Sequence, residues 1–157
     1  MYRIGLISDT HGLLRPEARE ALAGSDRIIH AGDIGAPAIL DTLARIAPLT
    51  VVRGNNDRGD WACGLRETET LRVGDVAIHV IHDLADLALD PAVAGVRVVV
   101  SGHSHKPRVE GRDGVLYVNP GSAGPRRFTL PVAVAELVIE GDEVSARIVG
   151  LPIPTTR

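Results

Sequence analysis

Asp9, His11, Asp33, Asn55, His82, His103 and His105 are all of types that bind cations, and each lies at or just past the end of an apolar run. Residues 2–8 lead into Asp9, with His11 two positions further on. Runs at 27–32, 49–54, 76–81 and 97–102 lead into Asp33, Asn55, His82 and His103, with His105 two beyond the last. Two carboxylates, four imidazoles and an amide are more ligands than one tetrahedral or octahedral ion takes. A set of nitrogen and oxygen donors without thiolate suits first-row divalent metals. Manganese is the leading expectation, with iron, zinc, cobalt and nickel as alternatives, and two ions per chain. Magnesium is a poor match for so many nitrogens.

Something must bring these residues together. A continuous apolar run of this length reads as a strand buried on both faces. Open α/β sheets collect their chemistry at the carboxyl ends of such strands. In the first half, strands alternate with helices near 16–23 and 37–46, each opened by a proline, Pro16 and Pro37. That alternation predicts parallel strands with right-handed crossovers. The second half changes character. Segments 66–73 and 76–82 flank Gly74-Asp75, 107–112 and 115–119 flank Asp113-Gly114, and 131–139 and 143–150 flank Gly141-Asp142, three hairpin signatures. A short helical or irregular stretch, 84–94, leads to a strand at 97–101. One half parallel and the other built of hairpins predicts an α/β fold: a two-sheet β-sandwich of mixed strands with helices outside, four layers in the order α/β/β/α. Residues 1–157 read as one domain.

The bulk numbers narrow the function classes. The chain has 157 residues, 45% hydrophobic and 24% charged, the profile of a soluble globular protein. A net charge of −3 argues against a general nucleic-acid-binding surface. Cys63 is the single cysteine, so an internal disulfide and a cysteine-based zinc knuckle are excluded. It reads as a small buried or half-buried apolar residue. The start shows no secretory leader pattern, and no apolar stretch reaches membrane-spanning length. The expectation is a cytoplasmic protein with no membrane partner; homo-oligomerisation stays open.

Singly, these motifs are weak, since an aspartate after a strand is more often a turn or a cap. Their ordered combination is specific: Asp9-x-His11, Gly32-Asp33, Gly54-Asn55, His82, Gly102-His103-x-His105, then Asn119-Pro120-Gly121-Ser122. From Ile4 to about Val149 the chain resembles the calcineurin-like metallophosphoesterase superfamily, and within it the small single-domain bacterial and archaeal phosphodiesterases. The resemblance implies Asp9, His11, Asp33 and His105 around one metal, and Asp33, Asn55, His82 and His103 around the other, with Asp33 bridging. It implies a phosphodiester substrate, attacked in line by a hydroxide bridging the metals. Two divalent ions, two carboxylates and a hydroxide leave about +1, complementary to a phosphodiester monoanion. Alternatives are a phosphomonoesterase and a protein-interaction scaffold of the same fold, as in a retromer subunit.

One departure bears on mechanism. Most of the superfamily has Gly-Asn-His followed by Asp or Glu, where this chain has Gly54-Asn55-Asn56-Asp57. Asn56 can donate a hydrogen bond but cannot transfer a proton. Asp33, Asn55, Asn56 and Asp57 are the expected catalytic set. Arg126 and Arg127, after the Asn-Pro-Gly-Ser turn, are expected to hold substrate phosphate. Asp83 stands where the family commonly has glycine; it either caps the turn that follows or hydrogen-bonds a metal ligand. Trp61 either packs or stacks on a base. His30, in a strand beside the site, reads either as a packed residue or as one that supports a metal ligand, and His79 reads as structural. Specificity is expected from loops 12–16, 56–66 and 120–128.

Overall fold

Successive residues of a strand face opposite ways, and along β1 (Tyr2–Ile7) that alternation separates two cores. Ile4 and Leu6 point into one cluster with Ile29, Ala31, Val52, Ile78, Val80, Val98, Val100 and Leu137. Ile7 points the other way, to Ala18, Leu22, Ile28, Ile39 and Leu43. The first cluster lies between two sheets, and the second lies under helices. The computed structural model describes residues 1–127 and 129–153, so the expected loop 120–128 is described except at its last position.

The first sheet has the order β10-β9-β1-β2-β3 and the second β4-β5-β6-β8-β7. In the first, β1, β2 (Arg27–His30) and β3 (Leu49–Val51) run parallel, and β9 (Ala133–Glu140) lies antiparallel to β1 with β10 (Glu143–Gly150) beyond it. In the second, β5 (Val76–Ile81), β6 (Val96–Val100) and β8 (Val115–Asn119) are parallel, flanked by antiparallel β4 (Thr68–Val73) and β7 (Arg108–Arg112). The predicted hairpins form, but they do not all build one sheet. The third returns to extend the first sheet, and the other two meet the second through parallel contacts. Central β5 is buried at every position, as its unbroken apolar run requires.

The helices α1 (Pro16–Leu22) and α2 (Pro37–Ile46) begin on their prolines and have no side-chain N-cap. A fixed φ at the first position starts each, and Ala18 with Leu22, and Ile39 with Leu43, bury the i, i+4 face on the sheet. The fourth layer is thinner than predicted. A turn at Leu84–Asp86 and the single helical turn α3 (Pro91–Ala94) cover Ile81, Val96 and Val99. Among the described residues no helix is long and apolar enough to cross a membrane.

Candidate metal centre

The backbone is unusual where the apolar runs end. Asp9, His11, Asp33, His103 and His105 have φ of 55°, 46°, 58°, 71° and 65°. The one further non-glycine residue with positive φ among those described is Asp113, in a hairpin turn. Left-handed backbone costs an ordinary residue about 1 kcal/mol or more, and such strain gathers at functional sites. The strain is held by contacts that continue the sheet past its strands. Asp9 and His11 donate their backbone N–H to Gly32 and Asp33 carbonyls at 3.0 and 2.9 Å, and Gly102 donates to His82 at 2.9 Å.

These loops assemble two clusters. Ligand atoms of Asp9, His11 and His105 lie within 4.8 Å of one another, as do those of Asp33, His82 and His103. Asp9 Oδ1 is 3.6 Å from His11 Nε2 and 3.4 Å from His105 Nε2. Asp33 Oδ2 lies 3.2 Å from His82 Nε2 and 3.7 Å from His11 Nε2, so one carboxylate oxygen faces both clusters. The His82 and His103 rings are 5.2 Å apart, about one strand spacing. Asn55 Oδ1 is 3.2 Å from His103 Nδ1, which brings the seventh expected residue to the second cluster.

The donor atoms fit a cation. Asp9 Oδ1, His11 Nε2 and His82 Nε2, which face the clusters, are buried without a hydrogen-bond partner among the described residues. Buried polar atoms are rarely left so. His82 shows the reason most clearly. Its Nδ1 is 2.8 Å from the Ala31 carbonyl and must be the protonated nitrogen, so in the neutral ring Nε2 presents a lone pair to the carboxylate of Asp33. Either a cation between them or a proton on Nε2 makes that contact favourable.

Acidity follows the same logic. Burial pushes the Asp9 carboxyl up, but His11, the Ser8 hydroxyl and the His82 and His105 imidazoles together hold it below its usual range. Asp33 is likewise pushed up by burial, yet His82 and the Asn56 N–H bring it to about 2. Burial lowers His82, and the Asp33 and Asp9 carboxylates outweigh that and raise it. His105 is lowered by burial, with Arg127 and His11 adding to the effect.

Around the clusters other residues hold the ligands in place, and of these Ser8 and Thr10 were not singled out by sequence. Asp57 is buried and its two oxygens accept from the N–H groups of Asp33, Ile34, Gly35 and Gly54. It therefore clamps two loops from beneath and does not face the clusters. Of the expected catalytic set, Asp57 is thus the residue whose oxygens are taken up in positioning backbone. Asn56 donates its backbone N–H to Asp33 Oδ1 at 2.9 Å and its amide to Asp33 Oδ2 at 3.1 Å. Ser8 Oγ donates to Asp9 Oδ2 at 2.6 Å, which leaves Oδ1 free. Asn119 donates to the Gly102 carbonyl and Ser104 Oγ, and Ser122 to the Asp9 carbonyl, so the Asn-Pro-Gly-Ser turn ties the first loop to the last. His30 is fully buried, with Nδ1 accepting from Gly32 N–H and Nε2–H donating to Thr10, which donates to Ile34. Burial drops His30 to about 4, so it stays neutral. His79 bonds Thr70 at 2.8 Å within the hairpin.

Arg126 and Arg127 are exposed; Arg127 is close enough to His105 for its charge to act there. Neither lines the cavity of about 690 Å³ that opens beside Asn55, His82 and His103. Trp61 packs against the helical core and Gly59, and does not line that cavity. Cys63 is exposed, unlike the buried or half-buried residue expected. Of the two roles considered for Asp83 the cap is present: Oδ1 accepts from Ala85 N–H at 3.0 Å, while Oδ2 lies 3.6 Å from His103 Nε2, beyond hydrogen-bond reach.

Residues 2–142 match the calcineurin-like phosphoesterase superfamily domain. The chain belongs to that superfamily. It is 35% identical over 165 residues to a probable metallophosphoesterase of Methanothermobacter thermautotrophicus, covering 98% of this chain and 95% of the relative. It is 27% identical over 138 residues to a phosphodiesterase of Methanocaldococcus jannaschii, covering 76% and 82%. Among solved structures it is similar to vacuolar protein sorting 29 of Cryptosporidium parvum, with a TM-score of 0.82, 22% identity, and 96% and 91% of the two chains covered. That last likeness shows the shared fold. As a calcineurin-like phosphoesterase the chain is a member of a metal-dependent family, with two possible metal sites.

Proposed function

We propose that this calcineurin-like phosphoesterase is a two-metal phosphodiesterase. The observation that carries the reading is Asp33 Oδ2, set 3.2 and 3.7 Å from imidazole nitrogens of the two clusters, with buried donor atoms on both sides lacking partners. In this reading Asp9, His11, Asp33 and His105 hold one ion and Asp33, Asn55, His82 and His103 the other. Bound there, manganese or another first-row divalent pair would supply an acidified water and positive charge for the phosphoryl oxygens. The protein's own work is to hold its ligands rigid. Asp57 fixes the loops carrying Asp33 and Gly54, and Ser8 turns Asp9 so that a single oxygen faces the first cluster. Asn56 holds Asp33 and carries no transferable proton, so the leaving group departs largely through its own acidity. The name of the Methanocaldococcus relative supports the diester over the monoester. The test is turnover of bis(p-nitrophenyl) phosphate against p-nitrophenyl phosphate by protein reconstituted with each divalent metal. Diester turnover in excess is expected. Preference for the monoester would make it a phosphomonoesterase, and metal binding without turnover of either would make it a scaffold.

A further inference from the structure

This inference rests on the diesterase reading and concerns which diester. Backbone packing closes the loops round the first cluster: a Cβ on Gly35 would meet the Gly12 nitrogen at 2.1 Å, and one on Gly124 the Thr10 carbonyl oxygen at 2.1 Å. Space lies on the other flank. The cavity of about 690 Å³ is lined at its inner end by Asn55, His103 and the buried His82, whose Nε2 lacks a partner. A smaller cavity of about 270 Å³ reaches the same candidate ligands only through His103. Among the cavities lined by described residues, this one offers a substrate with phosphorus at the clusters the roomiest place for an ester group.

The lining of that place is chemically mixed. Arg53, Arg58 and Thr68 bring donors, Glu67, Asp83 and Asp86 bring carboxylates, and Ala62, Cys63 and Ile81 add apolar surface. Asp57 also lines it, with its oxygens already taken by backbone N–H groups. Arg53 pairs with Glu67 at 3.5 Å, whereas Arg58 makes no ion pair among the described residues. No phenylalanine, tyrosine or tryptophan lines it. We propose that this cavity receives one alcohol group of the substrate and that this group is a polyol of glycerol or sugar size. A nucleobase would find no ring to stack on but that of His103, itself a candidate metal ligand. An acyl chain would bury the charged lining unpaired. A second phosphate would meet the carboxylates of Glu67, Asp83 and Asp86. A hydroxyl both donates and accepts, so neighbouring hydroxyls satisfy guanidinium and carboxylate together.

The test uses p-nitrophenyl diesters of glycerol phosphate, thymidine 5′-phosphate and phenyl phosphate, with the metal-loaded full chain. All three share one leaving group and one negative charge. The glycerol ester should have the highest kcat/KM, by about tenfold or more and chiefly through KM, the gain of one or two charge-assisted hydrogen bonds. Asp86→Ala and Arg58→Ala should each cut the glycerol-to-phenyl ratio by up to about tenfold. Equal rates on all three esters, a preference for the thymidine ester, or a ratio unmoved by both variants would overturn the polyol subsite while leaving the diesterase standing. No turnover of any ester by metal-loaded protein would instead overturn the diesterase reading itself.

Discussion

His30 shows how a single side chain organises the centre without touching a candidate donor atom. Fully buried, it bonds Gly32 N–H on one nitrogen and the Thr10 hydroxyl on the other, joining the first two loops. Burial depresses its pKa from 6.5 in the unfolded chain to about 4. Between those values the unfolded state binds more protons, so the stability His30 contributes is present above about pH 6.5 and is lost as pH falls towards 4. For metal-free protein the loss from about pH 7 to about pH 5 should be about 2 kcal/mol. Urea denaturation of wild type and His30→Gln at both pH values checks this, since the other histidines are common to both proteins. The variant should show a pH slope shallower by that amount; equal slopes would mean that His30 titrates normally. Asn56 carries a second expectation. With no acid at that position, aryl diesters should be cleaved and unactivated alkyl diesters only weakly. Asn56→His should help the alkyl substrates more, by up to about 10²–10⁴ in kcat/KM, the usual contribution of general acid catalysis. If wild type handles both substrate types alike, the proton donor lies elsewhere and this account of Asn56 is wrong.

At the scale of elements, the centre depends on loops approaching closer than side chains allow. A Cβ on Gly102, after β6, would lie 2.0 Å from Ser8 Oγ and 2.7 Å from Asp9 Oδ2. A Cβ on Gly54, after β3, would meet the Asp33 nitrogen at 2.2 Å. Gly102→Ala should therefore cost about 1–3 kcal/mol by overcrowding. Adding Ser8→Ala, which removes the nearest atom, should recover part of that loss, so thermal melts of the two single variants and the double should be non-additive. Additive losses would place the strain elsewhere. This is also where sequence reasoning reached its end. The apolar runs marked where each strand stops because burial on both faces leaves no polar residue until the chain emerges, and at Asp9, Asp33, His82 and His103 it emerges into the site. They did not show the left-handed turns at five of the seven ligand-type residues, because φ at an aspartate or histidine has no local composition signal. The direction in which Asp57 points is illegible for a related reason. Its place in Gly54-Asn55-Asn56-Asp57 marks it as part of the site, but which way it points is decided by the N–H groups of a loop more than 20 residues earlier.

Across the whole molecule, both sheets contribute to one site. Asp9, Asp33 and Asn55 follow strands of the first sheet, and His82 and His103 follow strands of the second. The return of β9 and β10 to the first sheet was not legible, since pairing with β1 joins segments far apart in the chain. Ions shared between sheets should tie the sandwich together at this edge. At about 100 times Kd, bound metal stabilises by about 2.7 kcal/mol. Chelation should then lower Tm by about 6–10 °C for a protein of this size, read by calorimetry with and without EDTA. An unchanged Tm would mean that the clusters hold no ion in solution. The central claim is that Asp33 serves two ions and His105 one. The most direct measurement is metal stoichiometry, by elemental analysis of purified and reconstituted wild type, Asp33→Asn and His105→Ala. Wild type should bind two ions per chain, His105→Ala should keep about one, and Asp33→Asn should lose most of both. One ion in wild type, or an Asp33→Asn variant that still binds two, would contradict the bridged pair.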